Sequence, residues 1–498
     1  MPNKHRPLVL VIAGLDSGGG AGITADTITI HDNGCWSLPC VTAITAQSLK
    51  KVSGIEEPSS ELFRQTLKLA KEDWPEIASA KIGLITHQSI LEETLSFFEN
   101  SSYKIPVVWD PVLTATAGRL ESADLKGSLS RILKVSTVFT PNLPEALELA
   151  DWNQERLEKD GVKKLGEYFL EKGAECVIIK GGHLNKNNSA VDTFVSKDLT
   201  FTMTTQKVEG DGAHGGGCAF SSALAAYIAA GYATFDAAVL AKAYVYRGIV
   251  EPALPHNKER PPVGHHGIPD SLAYMPIIQE EGFPLKSEPF SRCSRPLGLY
   301  PVVDSYEWVE RLLKAGVKTI QLRIKDKTTP DLYGQIEKSV KLATQYNASL
   351  FIDDHYELAI KAGAFGVHLG MEDLKAADLN KIRQAGLKLG VSTHGPYEMV
   401  KASQLNPSYI ALGHIFPTNS KKMPSKPQGI EKLRLQTKML EKEDFMTVAI
   451  GGIKLDKAKE VLAAGVNSIA LITGITKDEN PEKAAQEWLK LFEGQTNE

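Results

Sequence analysis

The chain has 498 residues, 42% of them hydrophobic and 23% charged, with a formal net charge of -4. That length suggests more than one domain of ordinary size, with enough apolar residues to bury sizeable cores. The slightly acidic balance excludes a general nucleic-acid or anionic-membrane binder, so any phosphate chemistry must be carried by a few placed residues.

The polar start, residues 1–7, runs into the apolar run 8–13, which is too short to span a bilayer and has no small-residue cleavage signal after it. Cys35, Cys40, Cys176, Cys218 and Cys293 are scattered without a CxxC pair, as expected of free thiols in a reducing cytosol. Further apolar runs at 80–85, 107–109, 138–139 and 176–179 alternate with amphipathic stretches such as 60–71 and 165–172. This is the pattern of βα units around a mainly parallel sheet.

Two glycine clusters punctuate this half. Ser17-Gly18-Gly19-Gly20-Ala21-Gly22 follows the first run and opens a helical stretch, and His214-Gly215-Gly216-Gly217-Cys218 precedes a small-residue helix at 219–230. Backbone N–H groups at a helix start bind anions, and glycine permits close approach. Neither cluster matches GxxxxGK[ST] or GxGxxG, which argues against P-loop and Rossmann sites. Three strand ends add polar groups: Asp110 before Pro111-Val112, Asn142 and Glu145 within 140–145, and Lys180 before Gly181-Gly182-His183.

Dense proline and glycine between 256 and 296 argues against a long regular element there and marks a join. The expected organisation is a first domain over 1–275, a linker over 276–294 and a second domain over 295–498. Beyond the join, eight strands are predicted at 297–303, 319–325, 349–354, 366–370, 388–394, 409–416, 447–453 and 468–474. Ala-Gly pairs at 315–316, 362–363, 385–386 and 464–465 close the helical stretches before several of them, glycine being the usual residue past a helix C-terminus. Eight βα units in about 200 residues predict a (β/α)₈ barrel, whose chemistry sits at the strand C-terminal ends. Those ends carry Arg323, Lys325, Asp353, Asp354, His368, Ser392, His394, Gly451 and Gly452.

The first-half motifs resemble the ribokinase-like superfamily, and within it the hydroxymethylpyrimidine/phosphomethylpyrimidine kinases of thiamine biosynthesis. That family's AGxDxSGGAGIxAD, AxxAQ, DPV, TPNxxEA, KGGH and HGTGC stand here, in order, at 13–26, 43–47, 110–112, 140–146, 180–183 and 214–218. The resemblance implies a three-layer α/β/α fold and ATP-dependent phosphorylation of hydroxymethylpyrimidine to its mono- and diphosphate. It implies that Asp26 and Gln47 hold the aminopyrimidine with Gly83 in the pocket wall. Asn142 and Glu145 would organise Mg²⁺ and the ATP phosphates, Lys180 would neutralise transferred charge, and the Gly215–Cys218 turn would stabilise the transition-state anion. Cys218, at a helix start expected to lower its pKa, would be a thiolate base. Alternatively it is a small buried residue at a tight turn, and Asp211 is then the rival base. The family's threonine is Gly216 here, which removes a hydroxyl and keeps the N–H.

The second half resembles thiamine phosphate synthase, from about residue 295 to 491, through QxRxKD, ND or NDD, GxHxGQED, GVSxH, GPIxPTxTK and IGGI. By that resemblance Gln321, Leu322, Arg323, Ile324, Lys325, Asp353, Ser392 and Lys421 hold a pyrimidine diphosphate, and Asp354 and Asp373 bind Mg²⁺. Thr418, Asn419, Ser420, Gly452, Ile472 and Thr473 hold a thiazole phosphate. The implied reaction displaces pyrophosphate to give thiamine phosphate, with Arg323 and Lys421 steadying the leaving group. Two departures stand out: Asp353 where the family usually has Asn, and Met371 for the Gln of GQED. An extra carboxylate would repel a diphosphate unless it is protonated or metal-bound.

The expectation is thus a cytoplasmic bifunctional enzyme of small-molecule substrates, alone or as a homo-oligomer, with Mg²⁺ and ATP as co-substrate and no nucleic-acid or membrane partner. A competing reading is a pyridoxal-type kinase fused to a non-catalytic, phosphate-ligand-sensing barrel.

Overall fold

The computed structural model describes residues 5–48, 51–100, 104–113, 123–182, 188–208, 214–253, 261–284, 288–294, 296–326, 328–418 and 425–493. The chain forms two compact units, Met1–Pro269 with Ala273–Glu281, and Asp270–Leu272 with Gly282–Glu498.

The first unit is built on a ten-stranded sheet: β1 (Leu8–Asp16), β2 (Trp36–Gln47), β3 (Val52–Glu56), β4 (Ile77–Ile82), β5 (Val107–Trp109), β6 (Val138–Phe139), β7 (Cys176–Ile179), β8 (Ser189–Ser196), β9 (Thr200–Gln206) and β10 (Ile277–Glu280). Their order is β10-β9-β8-β7-β6-β5-β4-β1-β2-β3. The span from β2 to β7 is parallel, flanked by antiparallel β3 on one side and β8, β9 and β10 on the other. β1 is apolar and buried along nearly its whole length because helices cover both faces of the sheet at its centre. One face is packed by Phe63, Leu67, Ile90, Leu91, Leu165 and Phe169. The other carries helices Gly22–Asp32, Gly216–Ala229 and Thr234–Val250, whose alanines let backbones approach closely. The result is the three-layer α/β/α architecture expected.

β10 extends this first sheet by pairing with β9, Ile278 opposite Met203. The join between units is therefore narrower than 276–294, and residues after it also belong to a core: Phe290 donates its N–H to Asn406 O, and Cys293 packs inside the barrel. Proline density marked the break in periodicity but could not say that one short strand was recruited back to a distant sheet edge.

The second unit is a closed parallel barrel of β11 (Gly298–Val303), β12 (Thr319–Leu322), β13 (Ser349–Asp353), β14 (Gly366–Leu369), β15 (Lys388–Thr393), β16 (Tyr409–Leu412), β17 (Thr447–Ile450) and β18 (Ser468–Leu471), with β18 pairing back to β11. Each predicted strand is present; the first ends at Val303 as predicted and the other seven end one to four residues sooner. Gly316, Gly363, Gly386 and Gly465, the glycines of the four Ala-Gly pairs, have φ of 98°, 68°, 75° and 97°. The barrel interior holds Tyr300, Phe351 and Tyr409 with ring centroids 5.2–5.8 Å apart. Gly390 lies opposite Tyr409, and a Cβ there would come 2.1 Å from that ring. Among the described residues, no helix is long and apolar enough to cross a membrane.

Candidate functional site

In the first unit the two glycine clusters interlock. Asp16, at the end of β1, accepts from Gly18 N at 2.8 Å and Ala21 N at 3.0 Å, and its Oδ2 lies 2.9 Å from His214 Nε2. Burial would raise its carboxyl, but His214 and the two backbone donors outweigh that and hold it below its usual value. Gly215 has φ of 79°, and a Cβ there would meet Gly20 O at 1.9 Å. A Cβ on Gly20 would in turn meet the His214 ring at 2.3 Å. The clusters read from sequence as two separate anion turns are one assembly at the start of helix Gly216–Ala229.

Beside that helix start, Lys180 Nζ donates to Asp110 Oδ1 at 2.7 Å, and Asp110 Oδ2 accepts from Ser221 Oγ at 3.1 Å. Burial alone would lower the Lys180 ammonium; Asp110 and Glu145 hold it above its usual value. A Cβ on Gly217 would stand 3.3 Å from Lys180 Nζ, so the predicted cation and turn are neighbours.

Asn142 and Glu145 form a reciprocal capping box: Asn142 Oδ1 accepts from Glu145 N at 2.9 Å, and Glu145 Oε2 accepts from Asn142 N at 2.8 Å. One oxygen of each side chain is thus committed to starting helix Leu143–Ala150, and any metal or phosphate contact falls to the other polar atoms. Burial pushes the Glu145 carboxyl up to about 7 against the pull of Lys180.

Asp26 is fully buried, accepting from Lys81 Nζ at 2.7 Å and from Ser222 Oγ at 2.7 Å. Gly83 makes room for this pair, since a Cβ there would sit 2.7 Å from Lys81 Nζ. The sequence reading missed Lys81; its only local signal is a lysine inside a short strand that is apolar but for Ser79. Gln47 closes β2, where its N–H donates to Ser17 Oγ at 2.9 Å.

The expectation of a lowered Cys218 pKa is corrected. The thiol is half-buried, and burial pushes it up to about 11, with Lys81 pulling it down and Asp26 and Asp110 pushing it further up. The helix-start effect is outweighed by desolvation and neighbouring carboxylates. Asp211 and His183 lie outside the described residues.

In the second unit, Arg323 Nε donates to Asp353 Oδ2 at 2.9 Å. Burial and the charge of Asp354 push the Asp353 carboxyl up to about 7, despite Arg323. Burial and the charge of Asp373 likewise raise Asp354, so these acids are like-charged neighbours, although among the described residues no three ligating side chains come together as a metal centre. Ser392 Oγ is 2.7 Å from His368 Nε2, and Gln321 Nε2 donates to Tyr300 Oη at 3.3 Å. Leu322, the last residue of β12, and Ile324 beyond it are both buried, so their side chains are committed to the interior. Lys325 is exposed past the strand end.

On the far side, Gly452 has φ of 65°, and a Cβ there would meet Pro417 O at 2.4 Å, which brings it against the stretch leading to Thr418. Ile472 and Thr473 open the short helix Thr473–Thr476 after β18. Asn419, Ser420 and Lys421 lie outside the described residues.

Comparison with known proteins divides the chain at the same place. A family model described as phosphomethylpyrimidine kinase matches residues 16–264, and one described as thiamine monophosphate synthase matches residues 299–475. A thiamine-phosphate synthase of Proteus mirabilis is 56% identical over 205 residues, 41% of this chain and 94% of that protein. Among solved structures, a phosphomethylpyrimidine kinase from Clostridium difficile 630 is 31% identical with a TM-score of 0.42, covering 49% of this chain and 99% of that one. A pyridoxal kinase from Staphylococcus aureus in complex with ADP is 26% identical with a TM-score of 0.47, covering 55% and 98%.

Proposed function

Because the chain belongs through residues 16–264 to the phosphomethylpyrimidine kinase family, and joins it to a thiamine monophosphate synthase domain over residues 299–475, we propose how the two sites divide the work. It is a bifunctional enzyme of thiamine biosynthesis, and both halves are transferases.

In the kinase, ATP phosphorylates hydroxymethylpyrimidine and then its monophosphate. The substrate hydroxyl oxygen bonds to the γ-phosphorus of ATP as the bond to ADP breaks. The backbone N–H groups of Gly215–Gly217 and the Lys180 ammonium receive the charge that develops on the transferred group, which is where phosphoryl transfer is most sensitive to its surroundings. Asp110 orients Lys180. Gln47 and Gly83 are assigned to the aminopyrimidine with Asp26, whose carboxylate, fully buried on Lys81 and Ser222, would act through those partners rather than by touching the ring. Asn142 would donate through its amide Nδ2 to an ATP phosphate oxygen, and the Glu145 carboxylate would serve Mg²⁺. The Cys218 thiol, protonated at neutral pH, holds the attacking hydroxyl, whose proton leaves late, onto an oxygen of the phosphoryl group being transferred, rather than to a preformed thiolate. The observation that supports this reading best is the Lys180–Asp110 pair beside Gly217 at the helix start.

In the synthase, the thiazole nitrogen forms a bond to the pyrimidine methylene carbon while the carbon–oxygen bond breaks and pyrophosphate leaves with the electron pair. Arg323 and Lys421 bind the leaving group, with Gln321, Lys325, Asp353 and Ser392 holding the rest of the diphosphate substrate. The raised Asp353 pKa lets that carboxyl be neutral beside a diphosphate. Asp354 and Asp373 are the groups that would hold Mg²⁺, whose contribution when bound is neutralisation of the diphosphate. Thr418, Asn419, Ser420, Gly452, Ile472 and Thr473 hold the thiazole phosphate.

The test is turnover by the full-length chain of hydroxymethylpyrimidine, ATP and thiazole phosphate to thiamine phosphate. Cys218→Ala should slow only the kinase step and Asp373→Ala only the synthase step. Pyridoxal phosphorylated in preference to hydroxymethylpyrimidine would overturn the kinase assignment, and absence of pyrophosphate release would overturn the synthase assignment.

A further inference from the structure

Five side chains cross the inside of the barrel in one unbroken hydrogen-bonded file. Gln321 Nε2 donates to Tyr300 Oη at 3.3 Å, Tyr300 Oη is 2.8 Å from Tyr409 Oη, Tyr409 Oη is 2.7 Å from His368 Nδ1, and His368 Nε2 is 2.7 Å from Ser392 Oγ. Tyr300 and Tyr409 are fully buried, Gln321 and His368 nearly so, while Ser392 at the far end is half-buried. Gly390 admits the file, because a Cβ there would come 2.3 Å from Tyr409 Oη. Among the described residues, no polar side-chain atom of these five is buried without a partner.

From this file we infer that Tyr300, Tyr409 and His368 are positioning residues of the synthase site, which set the hydrogen-bonding polarity of Gln321 at one end and Ser392 at the other. The inference rests on the proposed reading of the barrel as the synthase site. Direction follows from what each atom can do. The Gln321 amide nitrogen only donates, so Tyr300 Oη accepts from it. Tyr300 then donates to Tyr409, and Tyr409 donates to Nδ1 of His368. Burial pushes both phenols above their usual pKa, so both keep their protons. Nδ1 of His368 therefore accepts and carries no hydrogen, so the ring proton is on Nε2. Nε2–H donates to Ser392 Oγ, which leaves the serine hydrogen to point out of the file. The opposite polarity would have Tyr300 accept from both Gln321 and Tyr409, stranding its own buried hydrogen.

The two ends are thereby specified. Ser392 is an obligate donor, as a diphosphate oxygen requires. Gln321 presents Oε1, an acceptor, as an exocyclic amine on a pyrimidine requires. One file thus reads both poles of an aminopyrimidine diphosphate without either phenol or the imidazole touching it.

The test uses the full-length chain labelled with ¹⁵N-histidine, with the His368 resonances assigned by their loss in His368→Gln. In the ligand-free protein at pH 7, His368 should carry its proton on Nε2, with Nδ1 bare. A proton on Nδ1, or on both nitrogens, overturns the proposal, and this reading needs no variant of the file and no substrate. In kinetics, Tyr409→Phe should raise the KM for the pyrimidine diphosphate about tenfold, as for loss of one hydrogen bond to a charged group. The KM for thiazole phosphate and the kinase rate should stay within about twofold. Ser392→Ala should cost about tenfold in the wild type and less than about twofold in the Tyr409→Phe background; equal costs in both backgrounds overturn the proposal. If Tyr409→Phe misfolds, Tyr300→Phe takes its place in the same cycle. A wrong tautomer with thiamine phosphate still formed sinks the polarity alone, whereas no thiamine phosphate from the wild type sinks the site reading beneath it.

Discussion

Asp16 and His214 stand 198 positions apart, and their side chains meet with Oδ2 2.9 Å from Nε2. The same carboxylate accepts from Gly18 and Ala21, so it ties the turn after β1 to the turn before helix Gly216–Ala229. Their close approach is backbone-limited: at Gly215 the nearest atom to an added Cβ would be Gly20 O.

His214→Ala should therefore release both turns from each other. We expect the kinase rate to fall at least tenfold and the synthase rate of the same polypeptide to stay unchanged. The Asp16 carboxyl is held below its usual value, so its stabilisation is present above about pH 4 and lost as pH falls through the folded-state pKa. The stability difference between wild type and variant should be about 1–3 kcal/mol at pH 7 and shrink below pH 4. Urea titrations at pH 7 and pH 3 measure it; an undiminished difference at pH 3 contradicts the bond.

Cys218, with its thiol pushed up to about 11, should alkylate slowly at neutral pH. Iodoacetamide labelling of the ligand-free enzyme, followed by mass spectrometry of the Cys218 peptide, should accelerate continuously through pH 10. A plateau below pH 8 would restore the preformed thiolate.

Asp353→Asn removes a carboxyl whose folded pKa, about 7, lies above its unfolded value of about 3.9. A raised folded pKa means that stability is fully present below pH 4 and lost as pH rises toward 7 and beyond. The variant should match the wild type at pH 4 and melt higher at pH 8, by roughly 2–4 °C for each kcal/mol recovered. The KM for the pyrimidine diphosphate should rise above pH 7 in the wild type and stay flat in the variant. A variant less stable than the wild type at pH 8 rules out the penalty.

Adjacent glycines at the kinase turn should behave oppositely. At Gly216 the nearest atom to an added Cβ is Val245 Cγ1 at 4.0 Å, so Gly216→Thr should fold normally and raise the kinase rate several-fold by restoring a hydroxyl at the anion turn. Gly215→Ala meets Gly20 O at 1.9 Å with φ of 79°, and should lower the kinase rate at least tenfold. Side-by-side kinase assays and melting curves decide both, and a Gly216→Thr chain that fails to fold refutes the open space.

The amino-acid sequence by itself determined the eight barrel strands, because each βα unit is a local repeat and four of its helix ends are punctuated by Ala-Gly pairs whose glycines all have positive φ. It also showed which polar residues close the strands, such as Asp110, Lys180, Arg323 and Asp353, since a polar side chain ending an apolar run is legible one motif at a time. What it could not carry were pairings between distant segments. Lys81 under Asp26, His214 on Asp16, β10 returning to β9, and Tyr409 linking His368 to Tyr300 each join residues far apart in the chain. Charge state belongs with them: a helix start argued for an acidic Cys218 thiol, and only burial, with Asp26 and Asp110 beside it, reversed that sign against the pull of Lys81. Desolvation and long-range pairing are properties of the packed interior, so the tertiary structure alone decided them.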